Sequence, residues 1–149
     1  MLKKRLIFTL LYDNGQFMLS RNFRLQKVGN LDWLQTNYNF SHISFFIDEL
    51  IVLDVTRGKK NLNEFCSTLK QLTKGCFVPI TAGGGLNTIE TASKLLRSGA
   101  DKIVVNSALF KNNNFISQLA SEYGKQCVVA SMDIKASPDG EYKVWSECG

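Results

Sequence analysis

Histidine occurs once in this 149-residue chain, as His42, and none of the four cysteines stands at metal-ligand spacing from it. Cys66, Cys76, Cys127 and Cys148 also form no C-x-x-C pair. No zinc site, no other metal centre and no cofactor is expected from such a set. Cys127 opens an apolar strand and Cys66 falls in a helical pattern, which reads as buried thiols in a reducing cytosol. Long hydrophobic runs are missing too, and none approaches a transmembrane span. The expected location is therefore cytoplasmic, with no membrane partner. The basic start Lys3-Lys4-Arg5 before Leu6 to Tyr12 imitates a signal peptide. Its apolar part has only seven residues, however, and Asp13-Asn14-Gly15 stands where small cleavage-site residues belong. A buried first strand is the better reading.

Charge of one sign is nowhere concentrated. The net charge is +5, and the basic residues are scattered along the chain. The only short cluster, Arg57-Gly58-Lys59-Lys60, follows a strand and reads as a solvated loop, so nucleic acid is not an expected partner. No low-complexity segment and no interdomain linker is visible. With 44% hydrophobic and 21% charged residues, the chain has the composition of one globular domain with a real core.

What is present is an alternation. Apolar runs of four to eight residues alternate with segments of helical period, the signature of a parallel sheet with helical crossovers. Strands are expected at Leu6 to Tyr12, Leu50 to Leu53, Val78 to Thr81, Ile103 to Val105 and Val128 to Met132. Asn14-Gly15 makes a tight turn into a long loop that reaches Gly29. Helices are expected at Leu31 to Tyr38, through Leu62, Phe65, Leu69 and Leu72, from an Asn87 N-cap to Gly99, and through Phe115, Ile116 and Leu119 to Gly124. Asp139-Gly140 reads as a hairpin turn with Glu141 to Trp145 as the returning strand. Glu49 to Asp54 resembles Asp101 to Asn106, a weak internal repeat of charge, apolar strand and polar end.

Four βα units and a fifth strand belong to the TIM (β/α)8-barrel class, whose closed form takes about 250 residues. We therefore expect residues 1–149 to be a single partial barrel domain, roughly the N-terminal half of a truncated chain. Pro79 to Glu90 carries a strand into Gly83, Gly84 and Gly85 and then opens a helix. Glycine lets backbone N–H groups approach a ligand, and a helix N-terminus favours an anion. Gly99 to Ser107 repeats the arrangement, so neighbouring strand ends carry donors suited to a phosphorylated small molecule. Asp54, Asn106 and Asp133 stand at the same rim, and the two aspartates are candidates for acid–base work. At the opposite rim Arg5, Glu49 and Lys102 each precede a strand, and their alternating signs allow a ring of salt bridges.

Met1 to Arg5, Asp48 to Asp54, Val78 to Gly85, Ser98 to Lys102 with Asn106-Ser107, and Gln126 to Val129 with Asp133 together resemble the cyclase subunit of imidazole glycerol-phosphate synthase. The resemblance runs through nearly the whole chain and covers about the first half of that family's length. It implies that a glutaminase subunit, paired as a heterodimer, releases ammonia at the barrel floor. The ammonia then crosses the barrel to a substrate at the top. It further implies an ammonia gate at Arg5, Glu49 and Lys102, phosphate binding at Gly84, Gly85, Asn106 and Ser107, a substrate-facing carboxylate at Asp54, and a catalytic aspartate at Asp133.

The family's first-strand catalytic aspartate falls on Leu11, which transfers no proton, and a lysine of the first loop falls on Leu19. Tyr12 and Asp13 are displaced in strand register. Losing one member of an acid–base pair costs a factor of about a hundred or more. A retained gate with a lost acid is similar to a paralogous group associated with glycosyl amidation in lipopolysaccharide biosynthesis. That group works with a glutaminase-like partner and an ATP-dependent amidotransferase on a sugar substrate. Leu6 to Tyr12 and Ser20 to Gly29 both look closer to it. A genuine cyclase of histidine biosynthesis and a non-catalytic phosphate-binding scaffold stay open as alternatives.

Overall fold

The computed structural model of the chain describes residues 3–22 and 24–145. In chain order the elements are β1 (Ile7–Asp13), β2 (Gln16–Arg21), β3 (Arg24–Gly29), α1 (Leu31–Tyr38), α2 (Phe40–Ile43), β4 (Glu49–Asp54), α3 (Leu62–Lys74) and β5 (Ile80–Gly83). They continue with α4 (Ile89–Arg97), β6 (Lys102–Val105), α5 (Ala108–Lys111), α6 (Asn113–Tyr123), β7 (Val128–Ala130), β8 (Asp133–Ala136) and β9 (Tyr142–Trp145). β1, β4, β5, β6 and β7 lie side by side, in chain order and all parallel. Helical crossovers join each neighbouring pair, which makes this the leading part of a (β/α)8 barrel.

Strand period two divides the sheet into an outer face under the helices and an inner, concave face. Leu10, Tyr12, Leu50, Val52, Ile80, Ala82, Ile103 and Val105 point outward and are buried against the helices. α3 shows why the helices form where they do. Asn61 caps it by accepting from the Glu64 N–H at 3.2 Å. Phe65, Leu69 and Leu72 then recur at helical spacing on one buried face. Truncating Phe65 to alanine removes the largest of these and costs about 3–5 kcal/mol.

Four expectations are corrected. The stretch from Gln16 to Gly29 is not a loop: β2 and β3 form an antiparallel ribbon that extends the sheet beside β1. The Asn14-Gly15 turn is there, with both residues at positive φ, but the ribbon is largely exposed and so carries no apolar alternation to reveal it. The third parallel strand starts at Ile80 and includes Gly83, which pairs with Leu53 and Val104 at a place where a Cβ would come within 2.2 Å of the Val104 carbonyl oxygen. Thr88, not Asn87, caps α4, and Glu90 pairs with Lys94 instead of closing a capping box. β7 stops at Ala130, and Asp133 opens the separate β8–β9 hairpin. The short helices α2 and α5 were not anticipated.

Candidate functional site

At the floor, the parallel strands gather three polar residues on the inner face. Glu49 opens β4, Thr81 is the second residue of β5, and Lys102 opens β6 opposite Thr81. Glu49 is buried, with its Oε1 accepting from Lys102 Nζ at 2.9 Å and from the Thr81 hydroxyl at 2.8 Å. Its Oε2 takes the Arg5 guanidinium at 3.1 Å. Burial alone pushes the Glu49 carboxyl upward. The hydrogen bonds from Lys102 and Thr81 and the charges of Lys102 and Arg5 outweigh it and hold the group below its ordinary value. All three floor residues named from the sequence thus meet in one cluster. Thr81 was missed; its signal was its place on the inner face next to Glu49, which only strand register discloses.

At the C-terminal ends of the same strands lies a cavity of about 710 Å³. Asp54, Gly84, Gly85, Asn106, Ser107 and Asp133 all line it. Asp54 is buried, and its Oδ1 accepts from the Thr56 N–H at 2.9 Å and from Lys60 Nζ at 3.1 Å. The same ammonium donates to the Asp54 carbonyl at 2.7 Å. Asn106 donates to Asp133 Oδ2 at 3.3 Å and leaves its own Oδ1 buried without a partner among the described residues. Gly84 and Gly85 have φ values of +126° and +71°, and a Cβ on Gly84 would lie 2.1 Å from the Asp54 carbonyl oxygen. That corner admits only glycine.

Lys60 corrects the reading of Arg57 to Lys60 as a purely solvated loop. Arg57 and Lys59 are exposed, but Lys60 turns inward onto Asp54 and lines the cleft. Leu11 also lines the cleft, whereas Tyr12 packs on the outer side, 5.0 Å from the Phe65 ring. Tyr12 therefore does not line the cleft, and burial pushes its phenol up. Leu19 is exposed, and its neighbour Ser20 faces the cavity.

Cys76 and Cys127 are buried and Cys66 partly so. Burial pushes the Cys76 and Cys127 thiols up. Cys148 lies outside the described residues. Among the described residues no group of three or more His, Cys, Asp or Glu is placed to hold a metal ion, and no helix is long and apolar enough to cross a membrane.

The strand order and the cleft at the strand ends define a partial (β/α)8 barrel with a polar upper rim and an ionic floor. The chain belongs to the family described as histidine biosynthesis protein, whose model matches residues 34–148. It is 46% identical, over its whole length, to a protein of Parasynechococcus marenigrum provisionally named imidazole glycerol phosphate synthase subunit hisF2. A Campylobacter jejuni protein given the same provisional name is 38% identical over 93% of the chain. Imidazole glycerol phosphate synthase subunit HisF of Dictyoglomus thermophilum is 37% identical over 68% of the chain. The chain spans about half the length of the curated relatives it matches, 55%, 54% and 40% of these three.

Proposed function

We propose that residues 1–149 belong to an ammonia-conducting, phosphate-binding synthase-type subunit that works with a glutaminase in glycosyl amidation of surface-polysaccharide sugars. One observation carries the reading. Glu49 is held by Arg5 and Lys102 at one end of the strands, while Leu11 occupies the cleft at the other end. The floor keeps the residues that gate a small neutral nitrogen donor, and the cleft lacks a second proton-transfer group on its first strand. Gly84, Gly85, Asn106 and Ser107 seat the phosphate of the acceptor. Asp54 faces the rest of it, and Asp133 is the remaining acid–base group.

A glutaminase would dock on the floor, where exposed Leu6, Phe45, Phe46 and Phe77 form an apolar rim. Phe45 and Phe77 stack with ring centroids 6.0 Å apart. An ATP-dependent amidotransferase completes the proposed pathway. The test uses the full-length protein with its glutaminase, comparing glutamine hydrolysis with glutamine-dependent transfer after charge reversal at Arg5, Glu49 and Lys102. Uncoupling of the two is expected; unchanged coupling refutes the gate.

A working cyclase is the second reading, favoured by Asp133 lining the cleft beside Asn106. Complementation of a histidine auxotroph by the full-length protein decides between them, since growth would assign ring formation to this site despite Leu11.

A further inference from the structure

The least expected contact in the cleft is the Lys60 ammonium on Asp54. It is doubly bonded, to the carboxylate at 3.1 Å and to the backbone carbonyl at 2.7 Å. Its stem also runs along the glycine corner: a Cβ on Gly85 would lie 2.9 Å from Lys60 Cε and 3.8 Å from Nζ. An anion seated on the Gly84–Gly85 turn therefore comes within reach of the ammonium with no movement of the backbone. The Asp54 side chain is 5% exposed and that of Lys60 30%, so the lysine has room to swing where the aspartate has none. Asp54 keeps a partner if the ammonium leaves, because the Thr56 N–H stays on Oδ1.

We infer that Lys60 is a displaceable counter-ion, held on Asp54 and transferred to the phosphate of an incoming phosphorylated polyol or sugar. This rests on the reading of the glycine turn as a phosphate seat. A phosphomonoester carries up to two negative charges against the single charge of Asp54, and lysine is a point charge on a flexible four-carbon stem. Its transfer frees the Asp54 carboxylate to accept from the ligand's hydroxyls. Phosphate and hydroxyl recognition are thereby linked. The cleft also suits an anion in total charge, since Arg57, Lys60 and Lys111 line it against Asp54 and Asp133.

The experiment is calorimetric titration of the full-length protein with inorganic phosphate and with glycerol phosphate, in wild type, Lys60→Gln, Asp54→Asn and the double variant. Lys60→Gln should weaken phosphate binding about tenfold, the worth of one charge-assisted hydrogen bond. Asp54→Asn should tighten inorganic phosphate severalfold, because the ammonium loses its ionic partner and keeps only the backbone carbonyl, and should erase the preference for glycerol phosphate. In the Lys60→Gln background the Asp54→Asn gain should vanish. If the gain persists there, simple repulsion explains it and the exchange is refuted. Binding of neither probe by wild type overturns the phosphate reading itself, and the inference with it. Should Lys60→Gln fail to fold, Lys60→Arg serves: a guanidinium gripping Asp54 in a bidentate pair should bind phosphate more weakly than wild type, and unchanged affinity refutes the exchange.

Discussion

Replacing Glu49 by alanine and by glutamine dissects the barrel floor. Alanine removes the acceptor for three donors. The Arg5 side chain is 56% exposed, so that pair contributes about 0–1 kcal/mol. The bond from Lys102, whose side chain is 30% exposed, is charge-assisted and worth about 1.5 kcal/mol. The fully buried Thr81 hydroxyl loses its acceptor, at a cost of about 1–3 kcal/mol. Glu49→Ala should therefore destabilise the full-length protein by about 4 kcal/mol in urea unfolding. Glutamine leaves the Thr81 bond in place, so Glu49→Gln should cost only about 2 kcal/mol. The acid limb supplies an independent readout. The folded Glu49 carboxyl is held below its ordinary 4.5, so its stabilisation is full above that pH and fades as pH falls through the lowered folded value. Glu49→Gln should flatten this part of the stability–pH curve. Equal losses for Ala and Gln, or an unchanged acid limb, would refute the arrangement.

Leu11→Asp places a carboxylate in the cleft across from Asp133; if ring formation is limited by the missing group, the variant should gain about a hundredfold in cyclase turnover, or growth of a histidine auxotroph that wild type does not support. Gly84→Ala should cost upwards of 3 kcal/mol in urea unfolding, combining positive φ with a Cβ 2.1 Å from the Asp54 carbonyl oxygen, whereas Gly58→Ala, with nothing within 4 Å, should cost about 1 kcal/mol. Iodoacetamide labelling at pH 8, followed by peptide mass spectrometry, should mark Cys66 well before Cys76 and Cys127, because those two thiols are buried and their ionisation is pushed up. Comparable rates would show that the helices over β5 and β7 open readily.

Much of the architecture was legible before any coordinates. The parallel strands reveal themselves because they are buried on their outer face, and Leu50 to Leu53 or Ile103 to Val105 form unbroken apolar runs. α1 occupies the expected Leu31 to Tyr38, where the structure shows Asn30 capping one end and Asn39, in the left-handed conformation, closing the other. The β2–β3 ribbon escaped notice for the opposite reason: it sits at a sheet edge with little apolar burial, so no period marks it. In the cleft, Asp54, Gly84, Gly85 and Asn106 follow from their places at strand ends, and Asp133 reaches the same cleft from the start of the β8–β9 hairpin. Lys60 does not, because six residues separate it from Asp54 and only the fold of the intervening loop returns it.

The amino-acid order by itself determined the alternating elements, the glycine corner and which residues stand at each rim, since these are properties of local spacing and backbone freedom. Which of them touch was decided in three dimensions. The Glu49 cluster spans 53 positions from Glu49 to Lys102 and needs β5 between β4 and β6, in register, to bring Thr81 and Lys102 to the same carboxylate oxygen. Such contacts depend on strand stagger and on a lysine's choice between solvent and a buried acceptor, and both are settled only by packing.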